Sequence, residues 1–250
     1  MAKRLRIIAG PNGSGKSSVY ADLLKTKTFH WGVFVNADEI EKQLRENKFL
    51  NVTTYGIDNL NWDDFLSEYV PFVEQKNGIC KADNLLYRDH SIIVIDGEKV
   101  DSYLACHVAD FIRRKLLDKK GNVTFTIETV MSHESKLNLM RAAKEKGFKV
   151  YLYYVSTSSP EINVGRVATR VQEGGHDVPL DKIRSRYYRS LKQLRDAILL
   201  SDRAYIFDNS ENKYQWVAEY DAESGQMIYK SDEVPSWVIE YVNKPKLSKL

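Results

Sequence analysis

The sequence is constrained most strongly by one octet, GPNGSGKS at residues 10–17, which directly follows the apolar run LRIIA. It matches the pattern G-x-x-x-x-G-K-[ST] completely. The preceding run is typical of a buried parallel strand, and Ser17 to Leu24 is typical of the first turns of a helix. A strand, a glycine loop and a helix N-terminus together bind anions, because unpaired N–H groups and the helix dipole point at the ligand. The octet therefore predicts a phosphate-binding loop.

Each residue type in this loop has a chemical reason. Lys16 is expected to bridge the β- and γ-phosphates, and the Ser17 hydroxyl to ligate Mg²⁺. The alternative is a glycine-rich turn that contains a lysine by chance. It would require the octet and both flanking segments to match the phosphate-loop pattern by coincidence. We therefore expect Mg²⁺ and either ATP or GTP as cofactors, bound by Gly10, Pro11, Asn12, Gly13, Ser14, Gly15, Lys16, Ser17 and Ser18.

The composition is that of an ordinary globular chain. With 250 residues, 43% of them hydrophobic, the chain can bury one sizeable core. The net charge of +3 does not favour nucleic acid as a partner. Two cysteines are too few for a disulfide framework and favour the cytoplasm. The N-terminus runs straight into the loop, and no apolar run is long enough for a membrane span, so neither a signal segment nor a membrane partner is expected.

Apolar runs alternate with helical patterns along the chain. Such runs occupy 5–9, 32–36, 123–128, 150–156 and 204–210. This alternation predicts an α/β fold of the P-loop NTPase type, with three α/β/α layers and a mostly parallel sheet. We expect one domain over 1–250, an inserted subdomain at 41–100 that is rich in Asn, Asp and Tyr, and a C-terminal β-hairpin appendage at 211–243.

Acidic residues follow two of the predicted strands. Because ligands of such sheets bind at the carboxyl ends of the strands, these side chains are candidates for chemistry. Asp38 follows the second run and is well placed to act as a base on an acceptor hydroxyl, although it could also cap a helix that starts at Glu39. Glu128 and Thr129 end the third run and are expected to bind the substrate. Glu128 could alternatively hold Mg²⁺ through water.

The segment 163–191 is rich in arginine. It predicts two helices joined at Gly174-Gly175, which would form a mobile lid that brings positive charge to the γ-phosphate. His176 lies at the tip of this lid and could contact phosphate or be a surface residue. The arginines are Arg166, Arg170, Arg184, Arg186 and Arg189.

Four blocks of the sequence, taken together, resemble the zeta-toxin family of P-loop kinases, the toxins of bacterial toxin–antitoxin pairs. The blocks are GPNGSGKSS at 10–18, VNADEI at 35–40, FTIETVMSHESK at 125–136 and RVATRVQEGGHDVP at 166–179. The resemblance implies transfer of a γ-phosphoryl group to a hydroxyl of a nucleotide-like acceptor, which is UDP-N-acetylglucosamine for the best-known members. It also implies an antitoxin protein as a partner.

The same resemblance implies roles for individual residues. Asp38 corresponds to the catalytic base, Lys16 to the phosphate lysine, Glu128 to the acceptor-binding acid and Arg170 to an arginine at the γ-phosphate. A second family arginine would fall near His176, where this sequence differs. That charge is therefore expected from Arg184, Arg186 or Arg189, and Arg186 is taken as the catalytic candidate.

Two other classes of function remain open from the sequence. The run IIVID at 92–96 could supply Asp96, with Glu98, to a P-loop ATPase or switch that acts on a protein partner. We favour a hairpin strand inside the insertion for this run, because Gly97 and a predicted helix follow it. A polynucleotide-end kinase would use the basic segment 182–203, but the near-neutral charge makes nucleic acid the least favoured acceptor.

Overall fold

The computed structural model describes residues 3–26, 29–174 and 177–243. Within these ranges, no helix is both long and apolar enough to cross a membrane. The strands in chain order are β1 (Arg4–Ala9), β2 (Val33–Val35), β3 (Phe49–Asn51), β4 (Leu85–Arg88), β5 (Ser91–Val94), β6 (Thr124–Thr129), β7 (Lys149–Ser156), β8 (Arg203–Asp208), β9 (Gln215–Asp221) and β10 (Gln226–Tyr229).

The helices alternate with these strands. They are α1 (Lys16–Lys25), α2 (Ala37–Asn47), α3 (Trp62–Gln75), α4 (Ser102–Asp118), α5 (Ser135–Glu145), α6 (Pro160–Gln172), α7 (Leu180–Leu200) and α8 (Ser236–Val238). Short 3₁₀ turns occupy Val52–Tyr55, Ala82–Asn84 and Gly97–Lys99, and a π-helical turn, Ile239–Asn243, follows α8.

The chain divides into two compact units. The first, called the loop unit below, comprises Met1–Trp31 and Thr126–Leu250. The second, called the central unit, is the continuous segment Gly32–Phe125. The predicted insertion at 41–100 falls within the central unit.

The loop unit is built on a mostly parallel sheet. Its strands follow the order β10-β9-β8-β7-β1-β6, in which β1, β7 and β8 are parallel. Strand β1 is buried because Leu5, Ile7, Ile8 and Ala9 are all inaccessible to solvent, as expected for a parallel strand covered on both faces. Strands β9 and β10 pair antiparallel, which confirms the predicted C-terminal hairpin.

Helices cover both faces of this sheet. On one face, Val19 of α1 packs in a cluster with Ile8 and Tyr153. On the other, the hydroxyl of Tyr154, the next residue along β7, lies 2.9 Å from Ser190 Oγ of α7. Successive residues of a strand point to opposite faces, so the sheet is the middle layer of three. The predicted α/β/α architecture is confirmed.

The central unit has a different architecture. Its small antiparallel sheet has the order β3-β5-β4. Asp89 and His90 connect β4 to β5 with φ values of 50° and 59°, as a tight hairpin turn requires. The run predicted as a hairpin strand is therefore β5. An aromatic cluster lies between α3 and α4, where Phe65 contacts Tyr69, His107 and Phe111.

Candidate functional site

The GPNGSGKS loop connects the buried strand β1 to the N-terminus of α1. The helix begins at Lys16, one residue before the predicted start, and its N-cap is Gly15, which offers no side chain to the helix. An N-terminus without a side-chain cap leaves backbone N–H groups for a ligand. These groups and the helix dipole favour an anion at this position.

Two glycines of the loop are required by the packing of the protein itself. Gly13 has φ 76°, and a Cβ there would lie 2.5 Å from the carbonyl oxygen of Asn163. Gly15 has φ 86°, and a Cβ there would lie 2.1 Å from Nδ2 of Asn209. Side chains at these positions would be strained and would collide with their neighbours. The loop can therefore be this close to its supports only with glycine at both positions.

Two asparagines hold the loop by its carbonyl oxygens. Asn163 Nδ2 of α6 donates to the Asn12 carbonyl at 2.7 Å, and Asn209 Nδ2, just after β8, donates to the Ser14 carbonyl at 2.9 Å. Sequence reasoning missed Asn163, which is fully buried. The sequence feature that could have revealed it is a polar residue four positions before Val167, on the core-facing side of a predicted helix.

The inside of the loop has the properties of a site for a polar ligand. Ser14 Oγ is buried and has no hydrogen-bond partner among the described residues. Buried hydroxyls are nearly always hydrogen-bonded, so this atom fits a bound anion that accepts from it. Lys16 is 7% exposed, and its ammonium group donates to the Pro11 carbonyl at 2.8 Å, across the same loop. The residues present therefore fit a phosphate group.

Glu128 lies beside the first turn of α1. The Ser17 hydroxyl is 3.3 Å from both carboxylate oxygens of Glu128, which belongs to β6. A hydroxyl and a carboxylate at the edge of a phosphate loop are the hard oxygen donors that Mg²⁺ prefers, together with water and phosphate oxygens. Among the described residues, no three His, Cys, Asp or Glu side chains form a metal-binding group. That donor set fits a Mg²⁺ ion that is bound largely through the nucleotide and water.

Thr129 shapes the turn that follows β6. Its carbonyl accepts the Gly10 N–H at 3.2 Å, and its hydroxyl accepts the Met131 N–H at 3.1 Å. Met131 is buried with a φ of 54°, which is unusual for a residue other than glycine. Thr129 therefore ties the loop at Gly10 to the end of β6.

The arginines of 163–191 have different environments. Arg186 is half-buried on α7 and directs Nη1 toward Asn12 Oδ1 at 3.5 Å, whereas Arg184 pairs with Glu161 at 3.4 Å. Arg170 is exposed in the last turn of α6. Arg166 donates to the carbonyls of the loop after β8 at 2.7 and 3.2 Å, so it supports the backbone of that loop. His176 lies outside the described residues.

The two helices that carry these arginines are anchored in the core. Ile183 is fully buried, and the hydroxyl of Tyr187 donates to the Thr157 carbonyl at 2.6 Å. Ser190 Oγ donates to the Val130 carbonyl at 2.7 Å. The predicted pair of helices is confirmed, but each helix has a buried face.

An open cleft of about 740 Å³ adjoins the loop at its β8 side. It is lined by Gly15, Ser18, Asp22, Arg166, Asn209, Glu211, Asn212, Lys213 and Tyr214. Burial, and secondarily the negative charge of Asp22, raises the pKa of Tyr214. The cleft is large enough for a nucleoside and offers an aromatic wall.

The central unit contains the predicted base. Asp38 is exposed in the first turn of α2. The cap of this helix is Asn36, whose side chain accepts the Asp38 N–H at 2.8 Å. The alternative in which Asp38 caps a helix from Glu39 is therefore wrong, because the helix begins at Ala37 and Asp38 already lies within it.

Asp96 has a local structural contact. Its Oδ1 accepts the Glu98 N–H at 3.1 Å and so caps the 3₁₀ turn Gly97–Lys99, and its other carboxylate oxygen lies 3.8 Å from Lys99 Nζ. It follows β5, a strand of the antiparallel sheet. This position is that of a turn-forming residue at the end of a hairpin.

Comparison with protein families gives one match over most of the chain. A family model described as an AAA domain matches residues 5–194. A protein of Haemophilus influenzae Rd, described as an uncharacterized protein, is 38% identical over 68 residues, which are 27% of this chain and 49% of that protein. The chain thus spans about half the length of this curated relative.

Solved structures share the fold at low sequence identity. The complex of AvrRxo1-ORF1 with AvrRxo1-ORF2 gives a TM-score of 0.59 at 17% identity, covering 100% of this chain and 66% of that chain. The PezAT chromosomal toxin–antitoxin system of Streptococcus pneumoniae gives 0.50 at 14% identity, covering 97% and 80%. A structure of AvrRxo1-ORF1 and ORF2 with ATP gives 0.56 at 18% identity, covering 99% and 65%. The expected resemblance to P-loop toxins is confirmed at the level of the fold.

Proposed function

The chain belongs to the AAA domain family, and on that premise we propose that it is a small-molecule kinase of the zeta-toxin type. It transfers the γ-phosphoryl group of ATP or GTP to a hydroxyl of a nucleotide-like acceptor. One observation carries the proposal: the Ser17 hydroxyl lies 3.3 Å from both carboxylate oxygens of Glu128. Ser17 lies in the first turn of the helix that follows the complete phosphate loop.

The nucleotide is held by its phosphates and its base at two neighbouring places. The loop backbone, the buried Ser14 hydroxyl and the Lys16 ammonium group bind the polyphosphate. The base lies in the cleft beside the loop, against Tyr214. Both places belong to the loop unit, so a single unit binds the donor.

Ser17 and Glu128 would hold Mg²⁺, Ser17 directly and Glu128 through water. When bound there, the ion neutralises charge on the β- and γ-phosphates. Glu128 was expected from the resemblance to bind the acceptor. Its distance to Ser17 supports a role at the metal instead. Binding of the acceptor is then assigned to Thr129 and His176.

In the reaction, the acceptor oxygen forms a bond to the γ-phosphorus while the bond between that phosphorus and the β,γ-bridging oxygen breaks, so that the nucleoside diphosphate leaves. The hydroxyl proton passes to the Asp38 carboxylate. Arg186, which already contacts the loop at Asn12, and Arg170 stabilise the charge that spreads over the γ-phosphate oxygens. The products are ADP or GDP and the phosphorylated acceptor.

UDP-N-acetylglucosamine is the proposed acceptor, and an antitoxin protein is the proposed partner. Support for a partner comes from relatives in fold, one in a toxin–antitoxin system and another in a two-protein complex. The proposed location is the cytoplasm.

Phosphoryl transfer tests the proposal directly. The chain is incubated with γ-³²P-labelled ATP or GTP and Mg²⁺, with a panel of nucleotide sugars, NAD and short oligonucleotides as acceptors, and without acceptor as a control. We expect label on UDP-N-acetylglucosamine or another small nucleotide-like acceptor. Release of free phosphate alone, at the same rate with and without acceptor, would instead indicate an ATPase. Label on oligonucleotides would indicate a polynucleotide kinase.

A further inference from the structure

The strand end that supports the phosphate loop lies beyond the part of the chain that the AAA domain model matches, which ends at residue 194. Asn209 follows β8 and contacts two segments of the site. Its backbone N–H donates to the Ser156 carbonyl at 2.7 Å, and its side chain donates to the Ser14 carbonyl at 2.9 Å. The position of Asn209 therefore affects the shape of the loop.

The residue before it, Asp208, is a buried carboxylate with two described partners. One oxygen accepts the Ser210 N–H at 2.9 Å, and the other accepts the Trp237 indole N–H at 2.6 Å. Asp208 is 8% exposed and Trp237 is 3% exposed. A carboxylate in such a place is costly unless it is hydrogen-bonded, and bonds to charged groups are the stronger ones. The indole therefore holds Asp208 in one orientation.

Trp237 belongs to α8, which follows the C-terminal hairpin. Its ring lies 6.2 Å from that of Tyr154, measured between centroids. The Tyr154 hydroxyl is in turn 2.9 Å from Ser190 Oγ of α7. The indole thus packs against Tyr154 on the α7 face of the sheet and is hydrogen-bonded to Asp208 at the end of β8.

We propose that the C-terminal segment is part of the nucleotide site and that Trp237 is its positioning residue. Trp237 orients the carboxylate of Asp208, and the orientation of Asp208 sets the turn at Asn209. Asn209 in turn binds the Ser14 carbonyl and forms part of one wall of the adjacent cleft. Trp237 itself touches no substrate. The inference rests on the proposed function, because nucleotide affinity is its readout.

The test replaces the indole N–H while keeping an aromatic ring. Trp237→Phe is compared with Trp216→Phe, an exposed tryptophan of the same hairpin region that lies outside the cleft. The dissociation constants of MgADP and MgATP are measured by calorimetry, well below the melting temperature of each variant. We expect Trp237→Phe to weaken nucleotide binding about fivefold or more, the lower range of couplings between sites, and Trp216→Phe to leave it unchanged.

Asp208→Asn provides an independent variant that keeps the indole. If both residues act through one hydrogen bond, the double variant should weaken binding no more than the stronger single variant does. Wild-type affinity in Trp237→Phe, even with a lower melting temperature, would make the contact merely structural and would overturn the inference while leaving the kinase proposal intact. A wild-type chain that binds no nucleotide would overturn both.

Hydrogen exchange tests the same coupling without a substitution. Coupling between two sites is reciprocal, so saturating MgADP should slow amide exchange in the segment 236–243. The segment 62–75 of the central unit serves as the internal reference. Exchange in 236–243 that MgADP does not change would contradict the proposal.

Discussion

The two units differ in how their helices begin and in what some of their asparagine side chains bind. In the central unit, five helical segments begin with such a side chain accepting a backbone N–H two or three residues ahead. These caps are Asn36, Asn51, Asn61, Asp96 and Asp101. A cap of this kind satisfies one of the free N–H groups of the helix and stabilises it locally.

In the loop unit, two asparagine side chains bind backbone that is distant in the sequence. Asn163 reaches Asn12, and Asn209 reaches Ser14. In contrast, the described helices α1, α5, α6, α7 and α8 begin without a hydrogen bond from a side-chain cap. At α1 the uncapped N-terminus belongs to the proposed phosphate site. Side-chain caps therefore begin the helical segments of the central unit, whereas two long-range bonds hold the phosphate loop of the loop unit.

The largest effect is expected at the proposed base, which the central unit supplies. Asp38→Ala should lower phosphoryl transfer by about 100-fold or more, because the acceptor proton loses its base. MgATP affinity should stay near the wild-type value, since the proposed nucleotide site lies in the loop unit. Transfer is followed with labelled ATP, and binding by calorimetry. Glu39→Ala, the adjacent exposed carboxylate, is the control, and full transfer by Asp38→Ala would refute the assignment.

A second large effect is expected at the pair that joins β6 to α1. Glu128→Gln should lower transfer by about 100-fold and raise the Mg²⁺ concentration needed for half-maximal rate, because one negative charge near the metal is lost. The measurement is transfer rate against Mg²⁺ concentration. Glu134→Gln, which changes a carboxylate paired with Arg141, should behave like the wild type. An unchanged Mg²⁺ requirement in Glu128→Gln would contradict the role at the metal and would favour binding of the acceptor as the role of Glu128.

A smaller effect is expected from removing one cap of the central unit. Asp101 accepts the Leu104 N–H at 2.9 Å and the Ile79 N–H at 2.7 Å. Asp101→Ala should lower the free energy of unfolding by about 1–2 kcal/mol. Ser159→Ala, at an N-cap without a side-chain bond in the loop unit, should change it by less than about 0.5 kcal/mol. Urea unfolding measures both, and equal losses would contradict the difference between the units.

The smallest effect is a pH dependence that belongs to the central unit. His107 is 7% exposed among the rings of Phe65, Tyr69 and Phe72. Burial, and secondarily the charge of Arg114, lowers its pKa below 6.5, while Glu68 and Asp110 oppose this shift. As the pH falls, His107 therefore binds a proton at a higher pH in the unfolded chain than in the folded chain.

This sign gives a definite prediction. The contribution of His107 to stability is complete above pH 6.5 and is lost as the pH falls toward its folded-state pKa. A difference of one pKa unit between the folded and unfolded states corresponds to about 1.4 kcal/mol in the free energy of unfolding. His107→Phe should remove the part of the decline that begins near pH 6.5, as measured by urea unfolding between pH 5 and 8. A decline that persists unchanged in His107→Phe would assign it to other groups.

Much of the loop unit could be predicted from the sequence. The parallel strands, the hairpin and both helices of the arginine-rich segment follow from apolar periodicity, which depends on neighbouring residues. The central unit was harder to predict. Its many Asn and Asp residues interrupt the apolar pattern, yet several of them begin helices, because the same side chains favour both turns and caps.

The amino-acid sequence by itself determined the phosphate loop and its chemistry, since the octet carries the glycines, lysine and serine within eight neighbouring positions. Only the tertiary structure decided which distant groups serve that loop. Ser17 and Glu128 are 111 residues apart in the chain, and Asn209 and Ser14 are 195 apart. Arg166 resembles its neighbouring arginines in sequence, yet it binds backbone carbonyls. Such contacts depend on how the strand ends meet at one edge of the sheet, and local spacing does not contain that information.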